Sequence, residues 1–189
     1  MNFARGLRAF LRQDPDIIMV GEVRDLETAE MCVRAALVGR LVLSTLHTND
    51  AIGAISRLMD FGIEPFLVSS TLIMVIAQRL VRRLCPECKE PVTKMDKNLI
   101  DRYKLDNVTL YKPVGCQACN SRGYAGRLAV FEILIADQEI QELIEKKAAI
   151  AIIRSALLKK GMKLLRDDAL EKVRQGLTTL NEAIVATME

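Results

Sequence analysis

The chain has 189 residues, half of them hydrophobic, which is enough for one substantial core and a small satellite domain. Its 27 basic and 24 acidic residues leave a net charge of +3, too even a balance to direct it to a polyanion. With 4% aromatic residues and no Trp it also lacks a base-stacking surface, so no nucleic-acid partner is expected.

Asn2 to Arg12 reads as a short amphipathic helix with Phe3, Leu7, Phe10 and Leu11 on one face. Arg5, Arg8 and Arg12 succeed one another at three- and four-residue spacing and form a basic edge, which serves equally as a solvated face or a binding one. No apolar core with a small-residue cleavage site opens the chain, so no signal peptide is expected.

The stretch Gln13 to Asp25, QDPDIIMVGEVRD, sets the layout of the remaining chain. Asp14 and Pro15 punctuate its start, and the unbroken apolar run Ile17 to Val20 predicts a strand covered on both faces. The strand ends at Gly21, and Glu22, Arg24 and Asp25 come directly after it, where open parallel sheets bind their ligands. Glu22 is therefore the leading candidate. Asp16 lies about 20 Å earlier at roughly 3.3 Å per extended residue, too far to share a metal or substrate group, and reads as structural.

Asp25 can cap a helix from about Leu26 to Val38 that Gly39 ends, and Leu41 to Leu46 is a second apolar strand run ending at His47, Thr48 and Asn49. Strand, helix and strand within about thirty residues make a βαβ unit, which brings Glu22 and His47 to one crevice. A lone histidine at a strand end is more often structural than catalytic. The neighbouring Thr45, Thr48, Asn49 and Asp50 favour the functional reading, because a phosphate terminus needs donors as well as charge.

Asn49 is expected to cap a helix from Asp50 to Asp60. The turn FGIEP then leads into a longer helix through Arg83, whose Arg79, Arg82 and Arg83 would complement the helix dipole. The longest mostly apolar run, Phe66 to Ala77, would reach only about 18 Å as a helix against a bilayer core of roughly 30 Å, so a cytoplasmic chain is expected.

Cys85-Pro-Glu-Cys88 and Cys116-Gln-Ala-Cys119 are two knuckles separated by 27 residues. Four thiolates without histidine describe a closed structural zinc site with no open coordination position, redox-active or unmetallated thiols being the alternative. A cytoplasmic setting favours metal over disulfides. Lys89 to Gly115 should form its own excursion, and Cys32 reads as a small core residue. Gly123 and Gly126 supply turns before an apolar return strand of Leu128, Val130, Ile133 and Leu134. Four helices are expected from there on, over Asp137 to Lys146, Ala148 to Lys160, Lys163 to Gln175 and Thr179 to Met188. Thr179 and Glu182 form a capping box at the start of the last.

These segments carry a resemblance that covers nearly the whole chain. LRQDPDIIMVGEVRD resembles the Walker B region of the type II secretion and type IV pilus assembly ATPases, and GRLVLSTLHTNDA resembles their histidine box. RLVRRLCPEC, GCQAC and GYAGRLAVFE resemble the tetracysteine subdomain of the assembly-type members, which pilus retraction ATPases generally lack. GLTTLNEAIVAT resembles the family's closing helix, with Val185 and Ala186 in place of a basic ending. Arg40 stands where the family usually has a second histidine, and Asp167, Asp168 and Ala169 stand where it has Asp-Gly.

The resemblance implies an α/β fold: a partial RecA-like P-loop ATPase core over residues 1–84 that lacks its Walker A half. A tetracysteine zinc subdomain would come next over 85–135 and a C-terminal helical region over 136–189. It implies that Glu22 polarises the attacking water near Mg2+, that His47 contacts the γ-phosphate side, and that Arg8, Arg12, Arg24 and Arg57 make nucleotide or subunit contacts. Cys85, Cys88, Cys116 and Cys119 would hold Zn2+, with ATP and Mg2+ in the complete enzyme. The implied partners are five further copies in a hexamer and the platform proteins of a secretion or pilus machine, reached from the cytoplasmic side of the inner membrane. No Gly-x-x-x-x-Gly-Lys-Ser/Thr loop occurs among the 189 residues. Glu22 and His47 can then complete an ATPase site but not make one, and the chain by itself is expected neither to bind ATP tightly nor to turn it over. The competing reading is a non-catalytic zinc-containing interaction module, and a nucleic-acid-binding zinc ribbon stands third.

Overall fold

The computed structural model describes Gly6, Ala9, Phe10, residues 12–94 and residues 96–188. The helix expected over Asn2 to Arg12 falls mostly outside the described residues, as does Arg8. The chain divides into two compact units, one built from Met1–Ile76 and Ile133–Met162, the other from Ala77–Glu132 and Lys163–Glu189.

In the first unit, β1 (Ile17–Val20) and β2 (Leu41–Ser44) pair in parallel, Ile17 opposite Leu41 and Val20 opposite Ser44. Between them runs α1 (Leu26–Leu37), which starts where the Asp25 carboxylate accepts the Thr28 N–H at 2.7 Å. Ile18 and Val20 pack on Met31 and Ala35 of α1, with Cys32 and Val42 alongside. Burial pushes the Cys32 thiol up to about 11, as befits a core residue.

The expectation that β1 is covered on both faces is corrected. Ile17 and Met19 are 61% and 80% exposed, while Ile18 and Val20 are buried. Side chains alternate across a strand and α1 covers one face, so the apolar run is half buried in this chain.

Two helices come next, α2 (Gly53–Asp60) and α3 (Pro65–Thr71). The helix expected from Asp50 starts at Gly53, whose N–H donates to the Asp50 carboxylate at 2.7 Å. The long helix expected through Arg83 is also corrected: α3 stops at Thr71 and β3 (Met74–Leu84) takes over. The Ser70 and Thr71 hydroxyls donate back to the Phe66 and Leu67 carbonyls at 2.7 and 2.6 Å, which weakens the last turn. Val75, Ile76 and Val81 then favour extended chain. Arg79, Arg82 and Arg83 therefore lie on a strand rather than in the last turn of a helix.

The first unit is completed by α5 (Gln138–Glu145), capped by Asp137, and α6 (Ile150–Lys159). Ile140, Ile144, Ile153 and Leu157 are their buried anchors.

Most of β3 and most of its neighbour in the sheet, β6 (Tyr124–Ile135), fall in the second unit. The excursion between the cysteine knuckles is a short antiparallel pair, β4 (Glu90–Pro91) with β5 (Tyr111–Lys112), enclosing α4 (Lys97–Tyr103). Two further helices, α7 (Leu165–Arg174) and α8 (Leu180–Ala186), pack together. The buried Glu132 carboxylate accepts the Leu165 N–H at 3.1 Å and so serves the start of α7.

Only half of the capping box at Thr179 forms. Its Oγ1 accepts the Glu182 N–H at 3.2 Å, but the Glu182 carboxylate turns to Arg82, accepting from its backbone N at 3.0 Å and its Nη2 at 2.6 Å. Arg82 also stacks over the Tyr124 ring at 4.2 Å. Among the described residues no helix is long and apolar enough to cross a membrane.

Thr179→Ala removes the one cap acceptor of α8 and is expected to cost about 1 kcal/mol, read from urea unfolding midpoints. Thr179→Ser keeps the oxygen and should leave the midpoint nearly unchanged.

Candidate functional site

Parallel pairing delivers the ends of β1 and β2 to one edge, and two further hydrogen bonds hold them together beyond the strands. The Val23 N–H donates to the Thr45 carbonyl at 3.0 Å, and Thr45 Oγ1 donates to the Gly21 carbonyl at 2.7 Å. Glu22 and His47 are thereby brought face to face, with His47 Nε2 3.0 Å from Glu22 Oε2. The other carboxylate oxygen, Oε1, is held by Arg24. The Arg24 guanidinium foremost, and His47 after it, keep the Glu22 carboxyl below the usual carboxylate range, so it is ionised at neutral pH. The His47 side chain is 81% exposed. The pair is thus open to a ligand arriving from solvent.

The loop after His47 is built around Asp50. Thr48 Oγ1 donates to the Asp50 carbonyl at 2.9 Å, and the Asp50 carboxylate receives the Gly53 N–H on Oδ1 and Arg154 Nη2 on Oδ2, both at 2.7 Å. Arg154 belongs to α6 and went unnoticed in the sequence. It lies 104 residues from its partner, and no local pattern marks such a contact.

The other arginines are spread out. Arg12 is exposed in the turn before β1, and Arg57 is exposed on α2 with its guanidinium 4.6 Å over the Phe61 ring. Only Arg24 of the four reaches Glu22 among the described residues. At the opposite end of the strands Arg40 pairs with Asp14, and with Asp16 at 3.6 Å. That gives Arg40 and Asp16 structural partners remote from the strand tips.

Cys85, Cys88, Cys116 and Cys119 converge, with all four Sγ atoms within 4.8 Å of one another. The Cys85–Cys116 pair is at 3.9 Å, and Cys88–Cys119 and Cys116–Cys119 are at 3.8 Å. A tetrahedral ion with metal–sulfur bonds of about 2.3 Å has ligand edges of about 3.8 Å, so the four thiols fit one. The backbone prepares them for it. Cys116 N and Gly123 N both donate to Cys119 Sγ at 3.2 Å, and Gly115 N donates to Cys88 Sγ at 3.3 Å. The first two bonds, that of Cys116 foremost, hold the Cys119 thiol down at about 6, whereas burial pushes Cys88 up to about 11. Gly123 is required here. Its φ is +72°, and a Cβ would lie 2.5 Å from Pro113 Cβ.

The fold matches the crystal structure of the pilus retraction motor PilT with bound ADP, at a TM-score of 0.70 and 30% identity over 100% of this chain and 44% of that one. The Vibrio cholerae type II secretion system ATPase E is 53% identical over 100% of the chain, and the Myxococcus xanthus type IV pilus assembly ATPase PilB is 51% identical over 97%. The chain spans 38% and 33% of the length of these two relatives. A family model described as type II/IV secretion system protein matches residues 1–185, and the chain belongs to that family.

The Glu22–Arg24 pair makes a pH prediction. In Arg24→Ala the Glu22 carboxyl should titrate at higher pH than in the parent chain, measured by carbon NMR of the side-chain carboxyl. Because the pair depresses the folded-state pKa, its stabilisation is present above the ordinary carboxylate range and is lost as pH falls through the depressed value. Any stability deficit of the variant should accordingly shrink in acid.

Proposed function

We propose that this chain is the C-terminal part of an ATP-hydrolysing motor that powers type II protein secretion or type IV pilus assembly. The observation that carries this reading is the 3.0 Å contact between Glu22 and His47 at the joined tips of two parallel strands. It is supported by relatives named as ATPases of type II secretion and of pilus assembly, and by a solved relative that holds ADP. Within a RecA-like core Glu22 orients and polarises the attacking water, and His47 meets the γ-phosphate side. Each Glu22 oxygen has one partner, Arg24 on Oε1 and His47 on Oε2, which leaves acceptor capacity on the carboxylate for a water. Bound with ATP, magnesium would supply counter-charge for the phosphates at this site. Arg24 and Arg57, with Arg8 and Arg12, act at nucleotide or subunit contacts of a hexamer.

The lysine and hydroxyl of a phosphate loop are not among these 189 residues. The purified chain should therefore show no magnesium-dependent ATP turnover. Mixed with a segment that carries the loop, it should gain turnover that Glu22→Gln abolishes. Turnover by the chain alone, or its persistence in Glu22→Gln, would overturn this assignment. If no mixture hydrolyses ATP while metal is retained, the chain is better described as a non-catalytic interaction module.

The tetracysteine centre is a closed structural zinc site in this reading, since four sulfur ligands leave no position for a reacting water. Elemental analysis should find one zinc per chain, and Cys119→Ser should lose it. Gly123→Ala should retain zinc less tightly against a chelator, because the added Cβ displaces the N–H that Cys119 uses. Full zinc retention by Cys119→Ser would contradict the ligand assignment.

A further inference from the structure

Between the exposed His47 and the buried start of α2 the chain has a single charged anchor, the Asp50 carboxylate, with each oxygen assigned to a different element. Oδ1 takes the Gly53 N–H at the head of α2, and Oδ2 takes Arg154 Nη2 from α6, both at 2.7 Å. Both side chains are partly withdrawn from water, Asp50 at 21% and Arg154 at 33% exposure, so the pair is screened less than a surface ion pair. On one side of Asp50, Ala51, Ile52, Ala54 and Ile55 are fully buried and immobilise α2. On the other, Thr48 closes a tight turn onto the Asp50 carbonyl at 2.9 Å, and His47 is the next residue back. One short turn thus separates the Asp50 anchor from His47.

We infer that Arg154 is a positioning residue for the strand-tip site: through Asp50 it sets the loop that presents His47 to Glu22 and links α6 to that site. The inference rests on the reading of Glu22 and His47 as a functional pair. Helix packing does not account for Arg154, because α6 is anchored by Ile153 and Leu157, which are 1% and 3% exposed. Arg154 lies beside that apolar row and spends its guanidinium on Asp50. A planar guanidinium suits a carboxylate oxygen in a partly dry site better than a hydrated ammonium does, so lysine should substitute only in part.

His47 is the only histidine of the chain, so its ring resonances are a clean probe. The test is a double-mutant cycle on the ring chemical shift in the full 189-residue chain. In the parent, Glu22→Gln should move the His47 ring signals. In Arg154→Gln the same Glu22→Gln change should no longer move them, and Arg154→Lys should restore part of the response. If Glu22→Gln moves the ring equally in the parent and in Arg154→Gln, Arg154 positions nothing and the inference fails while the site reading stands. If Glu22→Gln leaves the ring unmoved in the parent, the pairing itself fails, and both readings go with it. Should Arg154→Gln not fold, Asp50→Asn keeps an acceptor for Gly53 and weakens the bond to Arg154, and the same cycle applies with the same outcomes.

Discussion

The parallel register of β1 and β2 is the constraint on which the strand-tip site depends. Two parallel strands cannot be joined by a tight turn, so a crossover element is required, and α1 with its Asp25 cap supplies it. Parallel direction also means that both strands end at one edge. Glu22 and His47, 25 residues apart in sequence, thereby come within 3.0 Å in space. Thr45 extends the pairing past the last strand residues by reaching back to the Gly21 carbonyl, so the two polar tips are tied at their base and meet each other at their ends.

Charge is divided between the two ends of this small sheet. At one end Glu22 is shared by a guanidinium and an imidazole, both open to solvent. At the other Arg40 is occupied by Asp14 and Asp16. A histidine at position 40 would have been far from the strand tips, and arginine there serves the entry of β1 instead. In the other unit the same economy appears in sulfur chemistry, where backbone N–H groups aim at Cys119 and Cys88 before any ion is considered. Lys89, just after the first knuckle, bonds the Gly176 carbonyl at 2.8 Å and lies over Tyr111 at 4.4 Å, so one side chain ties together the knuckle, the excursion and the end of α7.

Several elements were legible because their signals are local. The Asp25 cap, the apolar runs of β1 and β2, the two cysteine knuckles and the helices after Asp137 each depend on residues a few positions apart. The stretch from Phe66 to Arg83 was not legible in the same way. A short apolar run with serine and threonine inside it fits a helix or a strand by periodicity, and back-bonded hydroxyls and β-branched residues decided for a strand. Asn49 and Asp50 are both good caps by sequence, and the bond from Gly53 to Asp50 is seen only in the folded chain.

The sequence by itself determined which residue types stand at the strand tips and in the knuckles, because the strand ends and the two-residue spacing of paired thiols are written in contiguous residues. Tertiary structure alone decided their partners. Arg82 meets Glu182 across 100 residues and Arg154 meets Asp50 across 104. Such pairs depend on how helices and strands pack, and no short stretch of sequence carries that information.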